Sequence, residues 1–289
     1  GLITRQASRN TTRSCVHFSS RRVFVPTDSE GYLLEATGVR KTFGAVTAVE
    51  DVTVGVKAGN ICGLIGPNGS GKTTLFHCIS GFLPMNEGSI RFNGQDITGK
   101  RPHKLAQLGV VRTFQHVMMF PEQTVIEGIR RAQMCSGRRL RRLAGREGGL
   151  PQKAEDLVEF AGLAEFAHAN VGAAPYGIQR LTNVAMALAA QPEILMLDEP
   201  VAGLHPEESH HLASLLQDVR SQGTTVFIID HNMPFLMPLC DYIYVLDAGQ
   251  NLFAGAPDVV QASEDVARVY LGEQANTNVT MAAAGGEAQ

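Results

Sequence analysis

The sequence has no apolar run long enough to cross a membrane. The longest, Val184 to Ala190, is seven residues, where a spanning helix needs about 20. It also has little net charge. Lys and Arg number 25 and Asp and Glu 28, which leaves −3 over 289 residues. That argues against a protein that coats nucleic acid by charge alone. Cysteine is sparse: Cys15, Cys62, Cys78, Cys135 and Cys240 are scattered, odd in number and form no C-x-x-C pair. A disulfide framework and a cysteine-based zinc site are disfavoured, and a reducing cytosol fits. No internal repeat and no sustained heptad pattern occurs. What is present is ordinary globular composition, 44% apolar and 18% charged. The length suits one large domain or two modest ones.

Charge is uneven along the chain. Five arginines against Asp28 and Glu30 give the first 30 residues a net of +3, which leaves −6 to the other 259. A Ser- and Thr-rich, acid-free start of this kind suits an organelle transit peptide. A disordered N-terminal extension over 1–31 is the reading favoured over it. Residues 275–289 are poor in large apolar side chains and read as a loose tail.

Between these ends, helices and strands alternate. Asp51 to Val56 alternates with period two, as a half-buried strand does. Ala58-Gly59-Asn60 is a turn, and Ile61 to Ile65 is a short apolar strand. Ile194 to Leu197 and Val226 to Ile229 are wholly apolar, as parallel strands covered on both faces are. Glu207 to Arg220 carries Leu212, Leu215, Leu216 and Val219 at helical spacing. This order predicts an α/β core with a mostly parallel sheet. Pro121 to about Ala174 shows helical patterns and no convincing strand, and reads as a helical insertion.

The sharpest local signal is Gly66-Pro67-Asn68-Gly69-Ser70-Gly71-Lys72-Thr73, which fits G-x-x-x-x-G-K-[ST]. It follows an apolar strand and precedes a helix expected over Lys72 to Ile79. Glycines let successive amide groups turn inward around phosphate oxygens, and the positive end of the helix faces the same anion. Lys72 reaches the outer phosphates, and the Thr73 hydroxyl can ligate Mg²⁺. Asp198, at the end of an apolar strand, can hold the metal shell. Glu199 leaves that strand in another direction, placed to act as general base on a water. No Asn-Lys-x-Asp string is present to read guanine.

Together, Gly66 to Thr74, Gln115, Tyr176-Gly-Ile-Gln-Arg180, Leu197-Asp-Glu-Pro200 and His231 resemble the ATP-binding-cassette ATPases over residues 32–274. Arg112-Thr-Phe-Gln115, Asn93 to Thr98, Pro200 to Leu204 and Val269 to Gly272 resemble the larger ATP-binding subunit of branched-chain amino acid importers. The resemblance implies a P-loop NTPase core with an antiparallel β subdomain. It also implies a helical subdomain near 116–176 and a C-terminal family segment near 247–274. It implies that Phe43 stacks on adenine, that Gln115 touches Mg²⁺ and the attacking water, and that His231 contacts the γ-phosphate. Thr73, Gln115 and Asp198 would serve the metal, with Glu199, His231 and Gln115 catalytic.

The implied cofactors are ATP and Mg²⁺. The implied partners are a second cassette, with a heterodimer expected, transmembrane permease subunits, and indirectly an extracytoplasmic solute-binding protein. Nucleic acid is not among them. The implied place is the cytoplasmic face of the cell membrane. A soluble cassette acting on DNA or ribosomes fits less well, since such proteins tend to carry coiled coils or fused cassettes.

One segment departs from the family pattern. Where relatives read Leu-Ser-Gly-Gly-Gln or Leu-Ser-Tyr-Gly-Gln, this chain reads Ala174-Pro175-Tyr176-Gly177-Ile178-Gln179. The family serine binds the γ-phosphate held by the opposite subunit, whereas proline has neither hydroxyl nor N–H. Tyr176, Gly177 and Gln179 remain to face that nucleotide. The missing bond is worth about 1.5–3 kcal/mol. This gives the expectation of an impaired signature and, as an alternative function, an ATP-binding module with little turnover. Pro175 itself is expected in the first turn of a buried helix over Gln179 to Ala190. His205 stands where many cassettes carry Asp or Asn. Arg130, Arg131, Arg138, Arg139, Arg141, Arg142 and Arg146 crowd the insertion, as a solvated face or as a contact for lipid headgroups or the permease.

Overall fold

The structure is a computed structural model that describes residues 31–113, 122–135 and 149–270. Two sheets organise it. Strands β1 (Tyr32–Phe43), β2 (Val46–Lys57), β4 (Glu87–Phe92) and β5 (Gln95–Asp96) form an antiparallel sheet in the order β2-β1-β4-β5. Strands β3 (Ile61–Ile65), β6 (Val110–Arg112), β7 (Ile194–Asp198), β8 (Thr225–Ile229), β9 (Tyr242–Asp247) and β10 (Gln250–Gly255) form a six-stranded sheet, ordered β10-β9-β3-β8-β7-β6. All its pairings are parallel except β9 with β10. The apolar runs at 61–65, 194–197 and 226–229 are therefore central strands, as their composition predicts. The long β1, β9 and β10 are additions that the sequence reading did not assign.

The central strands send alternate side chains to two cores. Ile61, Ile65, Leu195, Leu197, Val226 and Ile228 face a helical layer. Cys62, Leu64, Ile194, Met196, Phe227 and Ile229 face a second core shared with the antiparallel sheet. A strand buried on both faces has no polar side to show, which is why its sequence does not alternate. Helix α1 (Lys72–Ile79) sits in the second core through Leu75, Phe76 and Ile79. Helix α2 (Pro102–Leu108) precedes β6.

On the helical side lie α3 (Val125–Cys135), α4 (Ala154–Phe160), α5 (Tyr176–Ala189) and α6 (Pro206–Ser221). Short helices α7 (Met233–Leu236) and α8 (Pro257–Gln261) follow. Among the described residues of the insertion, helices α3 and α4 and two 3₁₀ turns appear, with one isolated bridge between Thr124 and Asn170. No helix among the described residues is long and apolar enough to cross a membrane.

Helix α5 begins three residues earlier than the sequence suggests, at Tyr176, and ends at Ala189. Pro175 is its N-cap and not part of its first turn. With φ −52° and ψ 150° its backbone is extended, and its ring cannot supply an acceptor for the first amides.

Two side chains clasp the antiparallel sheet to the six-stranded one. The Tyr244 hydroxyl accepts from the Gly55 amide at 2.9 Å and donates to the Gly55 carbonyl at 3.0 Å. The Asn251 amide takes the same part for Thr53, accepting from its N–H at 2.8 Å and donating to its C=O at 3.1 Å. Each completes the hydrogen bonds of β2 where no strand pairs with it. Burial pushes the Tyr244 phenol far above its ordinary pKa, so it stays a neutral donor. These clasps hold β2 against β9 and β10, beside the loop that follows β3.

Candidate functional site

That loop is the strand-to-helix turn Gly66–Gly71. Ser70 accepts through its carbonyl from the Gly249 amide at 3.1 Å, and Glu50 donates its amide to the Gly249 carbonyl at 2.8 Å. The loop is thus tied to the β9–β10 turn, which is tied to β2. Gly71 is the N-cap of α1 at φ 96°, and a Cβ there would lie 2.4 Å from the Ala48 carbonyl. Only glycine fits a left-handed residue pressed on another backbone. No side chain caps α1, and its first turn holds no acid. Its first amides are left to an anion from outside. Lys72 is buried and folds over the loop, its ammonium donating to the Gly66 and Pro67 carbonyls at 2.7 and 2.8 Å. Asn68, Gly69 and Thr73 are exposed, and Ser70 is buried. Thr74 is half-buried on the same turn of α1.

The neighbouring strand ends bring the acids to the same edge. Asp198 closes β7, and its Oδ2 accepts from Arg112 at 2.6 Å. Glu199 turns away with φ 44°, its amide donating to the Ile229 carbonyl at 2.8 Å. Its Oε1 lies 3.8 Å from Nδ1 of His231, which follows β8. Asp198 and Glu199 therefore diverge as adjacent residues leaving a strand should. A left-handed φ on a non-glycine residue is uncommon strain, and here it aims the Glu199 carboxylate at His231.

Asp230 holds this corner and was not anticipated from the sequence. Its buried carboxylate accepts from the amides of His231 at 2.8 Å, Asn232 at 2.9 Å and Val201 at 3.5 Å. Burial pushes its pKa above the usual carboxylate range, and the backbone donors oppose that shift. Asp230 thus binds the segment after Glu199 to the segment carrying His231. The one clue in the sequence was an acid at the end of an apolar strand, beside a residue already singled out.

Phe43 ends β1 with its ring about half exposed, 48%, and the Lys41 ammonium 5.1 Å from its centroid. It is no core residue, so a face is open for stacking. At the start of α5, Tyr176 is 45% exposed, and its hydroxyl accepts from Arg180 at 2.8 Å. The Gln179 amide donates back to the Ala174 carbonyl at 2.9 Å. Gly177 is buried against the Glu208 carboxylate, whose Oε2 accepts from the His205 amide at 2.8 Å. His205 is the N-cap of α6. Gln115 lies outside the described residues, as do Arg138, Arg139, Arg141, Arg142 and Arg146. Arg130 pairs with Glu155 on the surface.

A glycine loop opening a helix, a buried lysine and divergent acids at the carboxyl edge of a parallel sheet define a P-loop ATPase. A family model described as ABC transporter matches residues 49–202, and the chain belongs to that family. It is 39% identical to the "High-affinity branched-chain amino acid transport ATP-binding protein BraF" of Pseudomonas aeruginosa, over 83% of this chain and 98% of that protein. Identity is also 39% to the corresponding LivG protein of Escherichia coli (strain K12), with the same coverage of each chain. Among solved structures, the ADP conformation of MJ1267, an ATP-binding cassette of an ABC transporter, superposes with TM-score 0.74 at 30% identity. That match covers 84% of this chain and 99% of MJ1267. The expected fold class stands: an ABC ATPase core with parallel and antiparallel sheets. Nothing among these relatives supports the alternative of a module with little turnover.

Proposed function

We propose that the chain is the ATP-binding and ATP-hydrolysing subunit of a membrane transporter that imports branched-chain or related amino acids. The observation that carries this reading is the pairing of the phosphate loop with divergent Asp198 and Glu199. The amides of residues 66–74, apart from Pro67, which has no N–H, and the Lys72 ammonium cradle the phosphates, and Phe43 stacks on the base. The donor set fits a hard cation beside those phosphates: the Thr73 hydroxyl and Asp198, both oxygen ligands. Gln115 is a further ligand from the sequence resemblance. Those oxygens would hold Mg²⁺, which would supply positive charge against the phosphates. Glu199 takes the proton of a water in line with the γ-phosphorus, and His231 steadies the γ-phosphate.

Tyr176, Gly177 and Gln179 present the start of α5 to the nucleotide of a second cassette, so the working unit is a dimer, here a heterodimer. The cassette spans about 32–274, with the helical subdomain near 116–176 between it and the permease. Such an assembly sits on the cytoplasmic face of the membrane and receives solute from an extracytoplasmic binding protein. The amino acid specificity rests on the names of the similar transport proteins.

Calorimetry with ATP and Mg²⁺, and turnover in the presence of the permease and second cassette, test the reading. Lys72→Ala abolishes binding. Glu199→Gln keeps binding and lowers turnover by about 10²–10⁴-fold, the usual worth of a general base. Wild-type protein that takes up no nucleotide, or a Glu199→Gln variant with full turnover, overturns it.

A further inference from the structure

Arg112 has no role in the reading above, yet its guanidinium is buried and engaged on several sides. It ends β6, an apolar strand of three residues at the sheet edge beside β7. Its side chain is 6% exposed and that of Asp198 4%. One guanidinium nitrogen meets Asp198 Oδ2 at 2.6 Å, and the other donates to the Ser80 hydroxyl at 2.9 Å. The guanidinium carbon stands 4.9 Å from the Phe76 ring centroid and 5.4 Å from that of Phe82. Two rings, a hydroxyl from the end of α1 and a carboxylate therefore fix its plane. It also lines a cleft of about 250 Å³ with Phe82, His103 and Val111.

A buried carboxylate without a cation is strongly unfavourable. With nucleotide bound, Asp198 would also have a divalent ion beside it, whereas a guanidinium keeps its charge under all conditions. We propose that Arg112 is a positioning residue of the nucleotide site. It holds Asp198 by Oδ2, so that the second oxygen would be the one offered to a cation. It supplies the positive charge at Asp198 when no metal is there. This rests on the proposed magnesium–nucleotide site, and it makes Arg112 the reason that site survives between turnovers.

The test is a double-variant cycle on the full chain without nucleotide. Thermal unfolding is followed for wild type, Arg112→Met, Asp198→Asn and both together, each with and without Mg²⁺. The wild-type midpoint does not respond to Mg²⁺ alone. Arg112→Met melts about 10 °C lower, as expected for an orphaned buried charge in a domain of this size. Mg²⁺ alone recovers part of that loss. The double variant, with neither charge buried alone, melts above Arg112→Met.

A residue that only filled space would give no response to Mg²⁺ and no recovery in the double variant, and either result overturns the proposal. If Arg112→Met does not fold, Arg112→Lys decides. It keeps the charge and loses the fork, so Mn²⁺ binding with ADP, read by electron paramagnetic resonance, weakens about tenfold while the fold persists. Unchanged Mn²⁺ binding overturns the proposal too. Wild type that binds no nucleotide defeats the functional reading instead, and the unfolding cycle still judges the pair.

Discussion

The two parts of the molecule that would touch ATP are made differently. Around Gly66–Thr73 the contacts to the rest of the fold are backbone on backbone: the Gly249 amide on Ser70, the Glu50 amide on Gly249, the Ala48 carbonyl against Gly71. At the start of α5 they are side chains: Tyr176 on Arg180, Gln179 on its own loop, Glu208 on Gly177. A Cβ at Gly71 would stand 2.4 Å from a carbonyl, and one at Gly177 only 2.0 Å from Glu208 Oε1. The shorter distance is the cheaper one. A carboxylate on a flexible stem can swing away, whereas Ala48 sits in a strand tied at both sides. The phosphate loop is a finished mould, while the signature end is adjustable and looks outward.

The largest effect that would test this contrast is at the mould. Gly71→Ala combines a left-handed φ of 96° with a clash that only movement of β2 relieves. It should destabilise the protein by about 3 kcal/mol or more and remove nucleotide binding. Urea unfolding and calorimetry on the same sample measure both. A variant that unfolds like wild type and binds ATP would mean that β2 yields, and the rigid-mould description would fail.

The contrast also sets what was legible in the sequence. The phosphate loop was readable because its function is carried by backbone conformation, and backbone conformation constrains residue type. Gly66 and Gly71, each with another carbonyl where a Cβ would stand, could scarcely be otherwise. The central strands were readable because burial on both faces leaves no polar residue. Asp230 and Arg112 were not legible as parts of the site. Their roles depend on what lies across a sheet, Val201 for one and Asp198 for the other, and no local spacing reports that. Arg112 stands inside Arg112-Thr-Phe-Gln115, a string that marks family likeness and reports no role for it. The clasps by Tyr244 and Asn251 were hidden for the same reason: their partners, Gly55 and Thr53, are 189 and 198 residues away. The start of α5 lies three residues before the expected Gln179 because Tyr176, Gly177 and Ile178 carry no local helix signal, and Pro175 is the cap that precedes them.

A smaller effect is expected at the adjustable end. Gly177→Ala forces Glu208 aside and breaks its bond to the His205 amide, a charged cap contact worth about 1.5–3 kcal/mol at most. Alanine returns up to about 1 kcal/mol through its better helix propensity. The net loss should be about 1 kcal/mol, well under that of Gly71→Ala, with nucleotide binding by the isolated chain unchanged. Removing the carboxylate as well, in Gly177→Ala with Glu208→Ala, should abolish the clash and cost no more than Glu208→Ala alone. Unfolding curves for the four proteins show whether the two sites couple; strict additivity would mean that Glu208 was never in the way.

The smallest effect concerns Pro175, where two terms oppose each other. Serine at an N-cap accepts from an amide of the first turn, here that of Gly177 or Ile178, and such caps contribute about 0.5–2 kcal/mol. The extended backbone at Pro175 already suits a cap, so serine needs no rearrangement. Against this, proline restricts the unfolded chain, and losing it costs about 0.4–1 kcal/mol. The midpoints of the two ranges leave Pro175→Ser with a net gain of about 0.5 kcal/mol in urea. A gain well above that would mean that the start of α5 is a weak point even in the isolated chain, and the signature end would then be strained as well as adjustable. A change that small makes the variant a clean probe. Any difference in turnover by the assembled transporter then reports the contact of residue 175 with the facing nucleotide, because folding has been held constant.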